Sequence, residues 1–236
     1  MNEKKNIKTL SYEQLVGTFE DFGEKAFRAK QVYEWLWKKS ATSFDEMTNL
    51  SKALRQKLEE NFTFDQATIH KKQISNDKTI KYIFDLPDSH KVEGVLIPTD
   101  SRMTACISSQ VGCSLTCKFC ATGYLKRERN LTANEIYDQV VNISKEAEGN
   151  YQIPLFNIVY MGMGEPLLNY QNVLKSVEYI TSEKGLGMSP KRITVSTAGI
   201  AKMIKKLGDD NVKFNLALSL HAANDCLLYT SDAADD

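Results

Sequence analysis

Cys113, Cys117 and Cys120 stand at C-x3-C-x2-C spacing inside GCSLTCKFCATG, three thiols with no obvious fourth ligand in the motif. Thiolates are metal ligands, and an iron-sulfur cubane takes one on each iron, so three of them leave one iron open to something else. An incomplete ligand set is the mark of a catalytic centre. A structural zinc site is the other reading, because zinc accepts three Cys and one His and the nitrogen could come from His90 or His221. Zinc sites, however, usually pair their thiols as C-x2-C in two separate halves. Disulfide use fits less well still: the opening MNEKKNIKTL has no apolar signal core, which predicts a cytoplasmic location where thiols stay reduced.

A second chemistry-bearing string is MGMGEPL. Gly162 and Gly164 serve equally well as turn glycines or as places where a ligand lies against the backbone, and the carboxylate of Glu165 beside them could hold an ammonium or a ribose hydroxyl. The formal net charge of zero argues by itself against a nucleic-acid partner, but the average hides a local field. Between residues 101 and 131, Arg102, Lys118, Lys126, Arg127 and Arg129 face only Glu128. The cysteine segment is the basic one.

These strings need elements to position them. A chain of 236 residues with 42% apolar content can bury a sizeable core, and no apolar run approaches the length of a bilayer span, so no membrane partner is expected. Residues 1–75 read as a helical domain, with capping-box spacing at Ser11/Gln14 and Ser43/Glu46 and an apolar stripe at Phe27, Val32, Trp35 and Leu36 that predicts burial. Residues 76–101 read as a β-hairpin extension, TIKYIFDL and KVEGVLIP joined across Pro87, Asp88 and Ser89. From 102 onward strand and helix alternate. MTACISS, LFNIVYMGMG, RITVSTAG and VKFNLALSLH are the strands; Thr132 with Glu135 opens the first helix, whose apolar face is Ile136, Val140 and Ile143; later helices run through Val173, Val177 and Ile180 and over Ala201 to Leu207. Such βα units predict an α/β fold with a parallel sheet, in which chemistry collects at the C-terminal strand ends. The cysteine loop, MGMGEPL, STAG and SLHA then all fall on one rim.

The triplet and GMGEP resemble the radical S-adenosylmethionine superfamily, and the fuller strings VEGVLIP, SSQVGCSLTCKFCATG, MGMGEPLLN, ITVSTAG and LSLHA resemble its adenine-carbon-2 RNA methyltransferases of the RlmN type, from the helical region to about Asp225. The resemblance implies a partial (βα) barrel of the radical SAM type over 102–225. It implies a 4Fe-4S cluster held by Cys113, Cys117 and Cys120, and S-adenosylmethionine bound around Gly164, Glu165, Ser196, Ser219, Leu220 and His221. It makes Glu93 the general base, which the residues alone would leave as an exposed hairpin carboxylate. It makes Cys106 the thiol of a transient disulfide, where the residues alone give a small buried strand residue. The radical route suits an electrophilic ring carbon that ordinary methyl donation cannot reach: a 5′-deoxyadenosyl radical takes hydrogen from a methylated C-terminal cysteine. Implied substrates are an adenosine of 23S rRNA and one in some tRNAs; the implied partner is an electron-donor protein such as a flavodoxin, and a monomer is expected.

After LSLHAAND the chain departs from that pattern and reads CLLYTSDAADD. The tail 226–236 is expected to be disordered or artefactual, the chain to be an inactive fragment, and Cys226 is not assigned the methyl-carrying role. Fewer strands than a barrel needs predict an exposed fourth strand, an aggregation hazard. Two other readings stay open: a carbon-8 adenine methyltransferase of the antibiotic-resistance type, and a zinc-dependent RNA-binding module without catalysis.

Overall fold

Ser11 opens the first helix as its spacing predicts: its hydroxyl accepts from the Gln14 N–H while the Gln14 side chain accepts from the Ser11 N–H. This is α1 (Tyr12–Asp21), followed by α2 (Phe27–Trp37) and α3 (Lys52–Asn61), the last capped by the Ser51 hydroxyl on the Leu54 N–H. The computed structural model describes residues 4–220 and divides them into two compact units, the first being Met1–Gln66 with Glu178–Met188. Leu15, Phe19, Val32, Leu36, Trp37 and Leu58 are its buried apolar set, and the Trp37 indole stacks on the Tyr179 ring with centroids 3.6 Å apart. The expected stripe is therefore displaced: Val32 and Leu36 are buried, but Phe27 is exposed and Trp35 only half-buried, with its Nε1 donating to Asn49 Oδ1. Trp37 takes the central place. Ser43 does not form the expected box; it flanks a short 3-10 turn without a side-chain cap, and the Glu46 carboxylate accepts from the Thr42 N–H and hydroxyl instead.

The second unit, Ala67–Val177 with Ser189–Asp236, holds one seven-stranded sheet. Its strands are β1 (Thr68–Ile74), β2 (Ile80–Asp85), β3 (Lys91–Pro98), β4 (Met103–Cys106), β5 (Leu155–Tyr160), β6 (Ile193–Thr197) and β7 (Asn215–Leu218), hydrogen-bonded in chain order. β1 to β4 run antiparallel to one another, and β4 to β7 run parallel. Three helices make the parallel crossovers: α4 (Ala133–Tyr151), α5 (Tyr170–Thr181) and α6 (Ala201–Asp209). This is the expected α/β architecture, an open stretch of barrel wall.

Two expectations change here. Residues 68–74, expected as the end of the helical segment, are the edge strand β1, because pairing with β2 outweighs a composition of Lys, His and Gln that is also what a protected edge carries. The hairpin of β2 and β3 is no appendage, since β3 pairs directly with β4 and makes one sheet of both patterns. Thr132 and Glu135 form the expected capping box of α4, and Ile136, Val140 and Ile143 are fully buried, each contributing roughly 2 kcal/mol of apolar burial. β7 is the sheet edge among the described residues, with Leu216 and Leu218 exposed. None of the described helices is long and apolar enough to cross a membrane. The tail 226–236 and Cys226 lie outside the described residues.

Candidate functional site

Four segments converge on one cavity of about 440 Å³ at the C-terminal ends of the parallel strands. Cys113, Cys117 and Cys120 line it from the loop after β4, Gly162, Gly164 and Glu165 from the end of β5, Ser196 from β6, and Ser219 from the end of β7. The fold brings them together for a local reason: parallel strands joined by right-handed crossovers all end on the same rim. Leu220 is exposed and does not line the cavity, and His221 lies outside the described residues.

The cysteine loop is closed at its base by a two-residue pairing of Gln110–Val111 with Arg129–Asn130. Inside it the backbone folds tightly, with the Cys120 N–H on the Cys117 carbonyl at 3.2 Å and the Gly123 N–H on the Cys120 carbonyl at 2.8 Å. All three thiols are free. Burial pushes the Cys113 and Cys117 thiols up, and neighbouring thiols of the triplet add to the rise in both. Among the described residues no three Cys, His, Asp or Glu side chains are gathered tightly enough to share one metal ion. A cubane takes a thiolate on each of its irons, and the three thiols on the wall of one cavity supply a donor set of that kind. His90, the nitrogen considered for zinc, pairs with Asp88 at 2.9 Å in the turn between β2 and β3.

The glycines answer to packing. Gly164 has φ +94°, and a Cβ there would lie 2.4 Å from the Gln110 Cβ; a Cβ on Gly162 would lie 2.8 Å from the Ile107 backbone. They let the turn after β5 lie against residues 107–110. Glu165 is buried, and both carboxylate oxygens are held by backbone: Oε1 accepts from the Leu167 N–H at 3.0 Å and Oε2 from the Ala198 N–H at 2.8 Å. The carboxylate thus ties the rim of β5 to that of β6. Across the cavity the Ser196 and Ser219 hydroxyls stand 2.8 Å apart.

Glu93 and Cys106 stand elsewhere. Glu93 is mid-strand in β3, its half-exposed carboxylate paired with Lys81 Nζ of β2 at 2.7 Å. Cys106 ends β4 opposite Val95, on the sheet face that Glu93 shares by strand alternation. Burial raises its thiol pKa, offset in part by the Met161 N–H, and it is free. Neither lines the cavity.

The basic run is reduced from three to two. Arg129 donates to both oxygens of Glu135 at 2.8 Å and through Nε to Asp88 at 2.6 Å, so its charge is spent inside the molecule. Lys126 and Arg127 remain exposed, beside Tyr124, which is 72% exposed. Sequence reasoning also missed Phe119, Met161, Thr197 and Ala198 among the lining residues; Phe119 in CKFC and Thr197-Ala198 in STAG lay inside the strings already singled out.

Comparison with known proteins agrees with this geometry. Residues 107–228 match the model of the Radical SAM superfamily, and residues 5–64 match the ribosomal RNA large subunit methyltransferase N-terminal domain. The chain belongs to the radical SAM superfamily. It is 67% identical over 223 residues to a protein of Cytophaga hutchinsonii named "Probable dual-specificity RNA methyltransferase RlmN", covering 94% of this chain and 61% of that protein. A protein of Flavobacterium johnsoniae with the same name is 59% identical, with 94% and 64% covered. A crystal structure of a radical SAM methyltransferase from Sphaerobacter thermophilus superposes with TM-score 0.86 at 37% identity, over 95% of this chain and 66% of that one. Both of the curated relatives carry the RlmN name, and the chain is similar to them over nearly all of its own length. The chain spans about six-tenths of the length of those curated relatives.

Proposed function

We propose that this chain carries the cofactor-binding part of a radical SAM RNA methyltransferase whose product is adenosine methylated at carbon 2, in 23S rRNA and in tRNA. The observation that carries the reading is the convergence of the three thiols with Gly164, Glu165, Ser196 and Ser219 on one cavity. In this reading Cys113, Cys117 and Cys120 hold a 4Fe-4S cluster. When bound, the cluster would supply the electron that cleaves S-adenosylmethionine.

The chain's own residues do the rest. Gly164 lets the rim lie against Gln110, the paired Ser196 and Ser219 hydroxyls offer hydrogen bonds to a polar ligand, and Glu165 holds two rims in register. Leu220 and His221 complete the cofactor string. Glu93 acts as the base that takes a proton from the adenine ring, which requires it to leave Lys81 when RNA arrives. Cys106 acts as the thiol that releases the product. Lys126 and Arg127 meet phosphates, with exposed Tyr124 offering a face for a base. An electron-donor protein such as a flavodoxin is the second partner, the location is the cytoplasm, and the protein acts as a monomer.

Anaerobic reconstitution with iron and sulfide tests the cofactor part. A brown protein whose reduced EPR signal changes on addition of S-adenosylmethionine is expected; a colourless protein holding one zinc overturns the reading. Carbon specificity is read by nucleoside mass spectrometry of RNA from cells with and without the gene. Loss of 2-methyladenosine is expected, and loss of 8-methyladenosine instead would reassign the product.

A further inference from the structure

Gln110 has no part in the roles above, yet its side chain is fully buried where the cysteine loop and the cofactor rim meet. Its Oε1 accepts from the Glu165 N–H at 2.9 Å and its Nε2 donates to Asn130 Oδ1 at 2.7 Å. A backbone N–H can only donate, so the orientation of the amide is fixed. Asn130 is held at its other end too: its Nδ2 donates to the Leu168 carbonyl at 3.3 Å, and its Oδ1 accepts from Arg127 as well, at 3.1 Å.

The placement matters more than the count of bonds. Gln110 is the residue entering the cysteine loop and Asn130 the one leaving it, paired across the base of that loop. Glu165, the third member, lines the cavity and is itself bonded to Ala198 at the end of β6. One hydrogen-bonded path therefore runs from the exit of the thiol loop through the Gln110 amide to the rims of β5 and β6. The Gln110 stem also fills the space a Cβ on Gly164 would take.

We infer that Gln110 is a positioning residue: it sets the Gly164–Glu165 rim at a fixed place relative to the three thiols, so that S-adenosylmethionine on the rim meets the open iron. This rests on the proposed function above. That place requires a side chain that accepts at one end and donates at the other. Glu keeps only the acceptor, and Met, of similar length, has no donor and only a weak sulfur acceptor.

The test uses the full chain reconstituted anaerobically, as wild type, Gln110→Glu and Gln110→Met. Iron content and the EPR spectrum of the reduced cluster without S-adenosylmethionine stay at wild-type values. The dissociation constant for S-adenosylmethionine rises about tenfold in Gln110→Met, the worth of one hydrogen bond near its upper range, and the spectral change on its addition is lost. Gln110→Glu falls between. If Gln110→Met does not fold, Gln110→Glu alone decides on the same two readouts. Wild-type affinity and spectral change in the deciding variant overturn the inference, and so does loss of the cluster itself, which marks a purely structural amide. A wild-type chain that takes up no cluster, or whose cluster ignores S-adenosylmethionine, overturns the proposed function and this inference with it.

Discussion

At the ends of β4 to β7 the cavity-lining candidates meet on one rim; in the antiparallel half the one candidate, Glu93, sits mid-strand in β3 on a half-open face. At the parallel rim, Glu165 is 3% exposed and bonded only through neutral backbone groups, whereas in the antiparallel half Glu93 keeps 45% of its side chain exposed and answers to a charge. The difference teaches how each half can be altered. A buried rim is a geometric device, and a change there moves neighbours; an exposed ion pair is worth little to the fold and is free to exchange partners.

Removing thiols should break the comparison most visibly. Ser at Cys113, Cys117 and Cys120 together is expected to abolish iron and sulfide uptake, while Glu93→Gln in the other half leaves it at the wild-type level; analytical iron and sulfide content reads both. Next comes Arg129, which joins the β2–β3 turn to the first turn of α4 through Asp88 and Glu135. Arg129→Met leaves the nearly buried Glu135 without its cation and should cost about 3 kcal/mol of stability in urea titration.

The same arginine sets a pH dependence. Its hydrogen bond and charge, with help from His90, hold the Asp88 carboxyl well below the usual carboxylate range. A group whose folded pKa is depressed contributes stability above its unfolded pKa and loses it as pH falls toward the folded value. Wild-type stability should therefore decline below about pH 4, and the part of that decline due to Asp88 should shrink in Arg129→Met to what the His90 hydrogen bonds sustain, by parallel urea titrations across pH.

Gly164→Ala should cost about 2 kcal/mol, since the left-handed φ is strained for any side chain and the Gln110 stem occupies the space. A thermal melt at fixed pH measures it. The smallest effect is expected at Lys81→Met, where losing the exposed partner of Glu93 should change stability by no more than about 0.5 kcal/mol. A cost several times larger would mean that the antiparallel half is as tightly determined as the rim.

Much of the fold was legible. The Thr132/Glu135 box, the Ile136, Val140 and Ile143 face of α4 and the four strands from Met103 onward stand where spacing places them, because capping and periodicity act over three or four residues. β1 was not legible, since an edge strand of Lys and His carries no apolar alternation and its pairing partner lies beyond its own turn. Trp37 over Phe27 was not legible either: position on a helix names a face, but the ring that stacks on Tyr179 is chosen by a segment more than a hundred residues away.

At the site the division is similar. The sequence by itself determined the donor set, three thiols at a spacing that leaves a ligand position open, and the strings that would share a rim, because covalent order and the handedness of βα crossovers leave little choice. Tertiary structure alone decided that Arg129 is spent on Asp88 and Glu135, that backbone N–H groups fasten both oxygens of Glu165, and that Gln110 bridges thiol loop and rim. The bonds of Arg129 to Asp88, of Glu165 to Ala198 and of Gln110 to Glu165 each reach a distant segment, and no local pattern encodes which distant donor or acceptor will arrive.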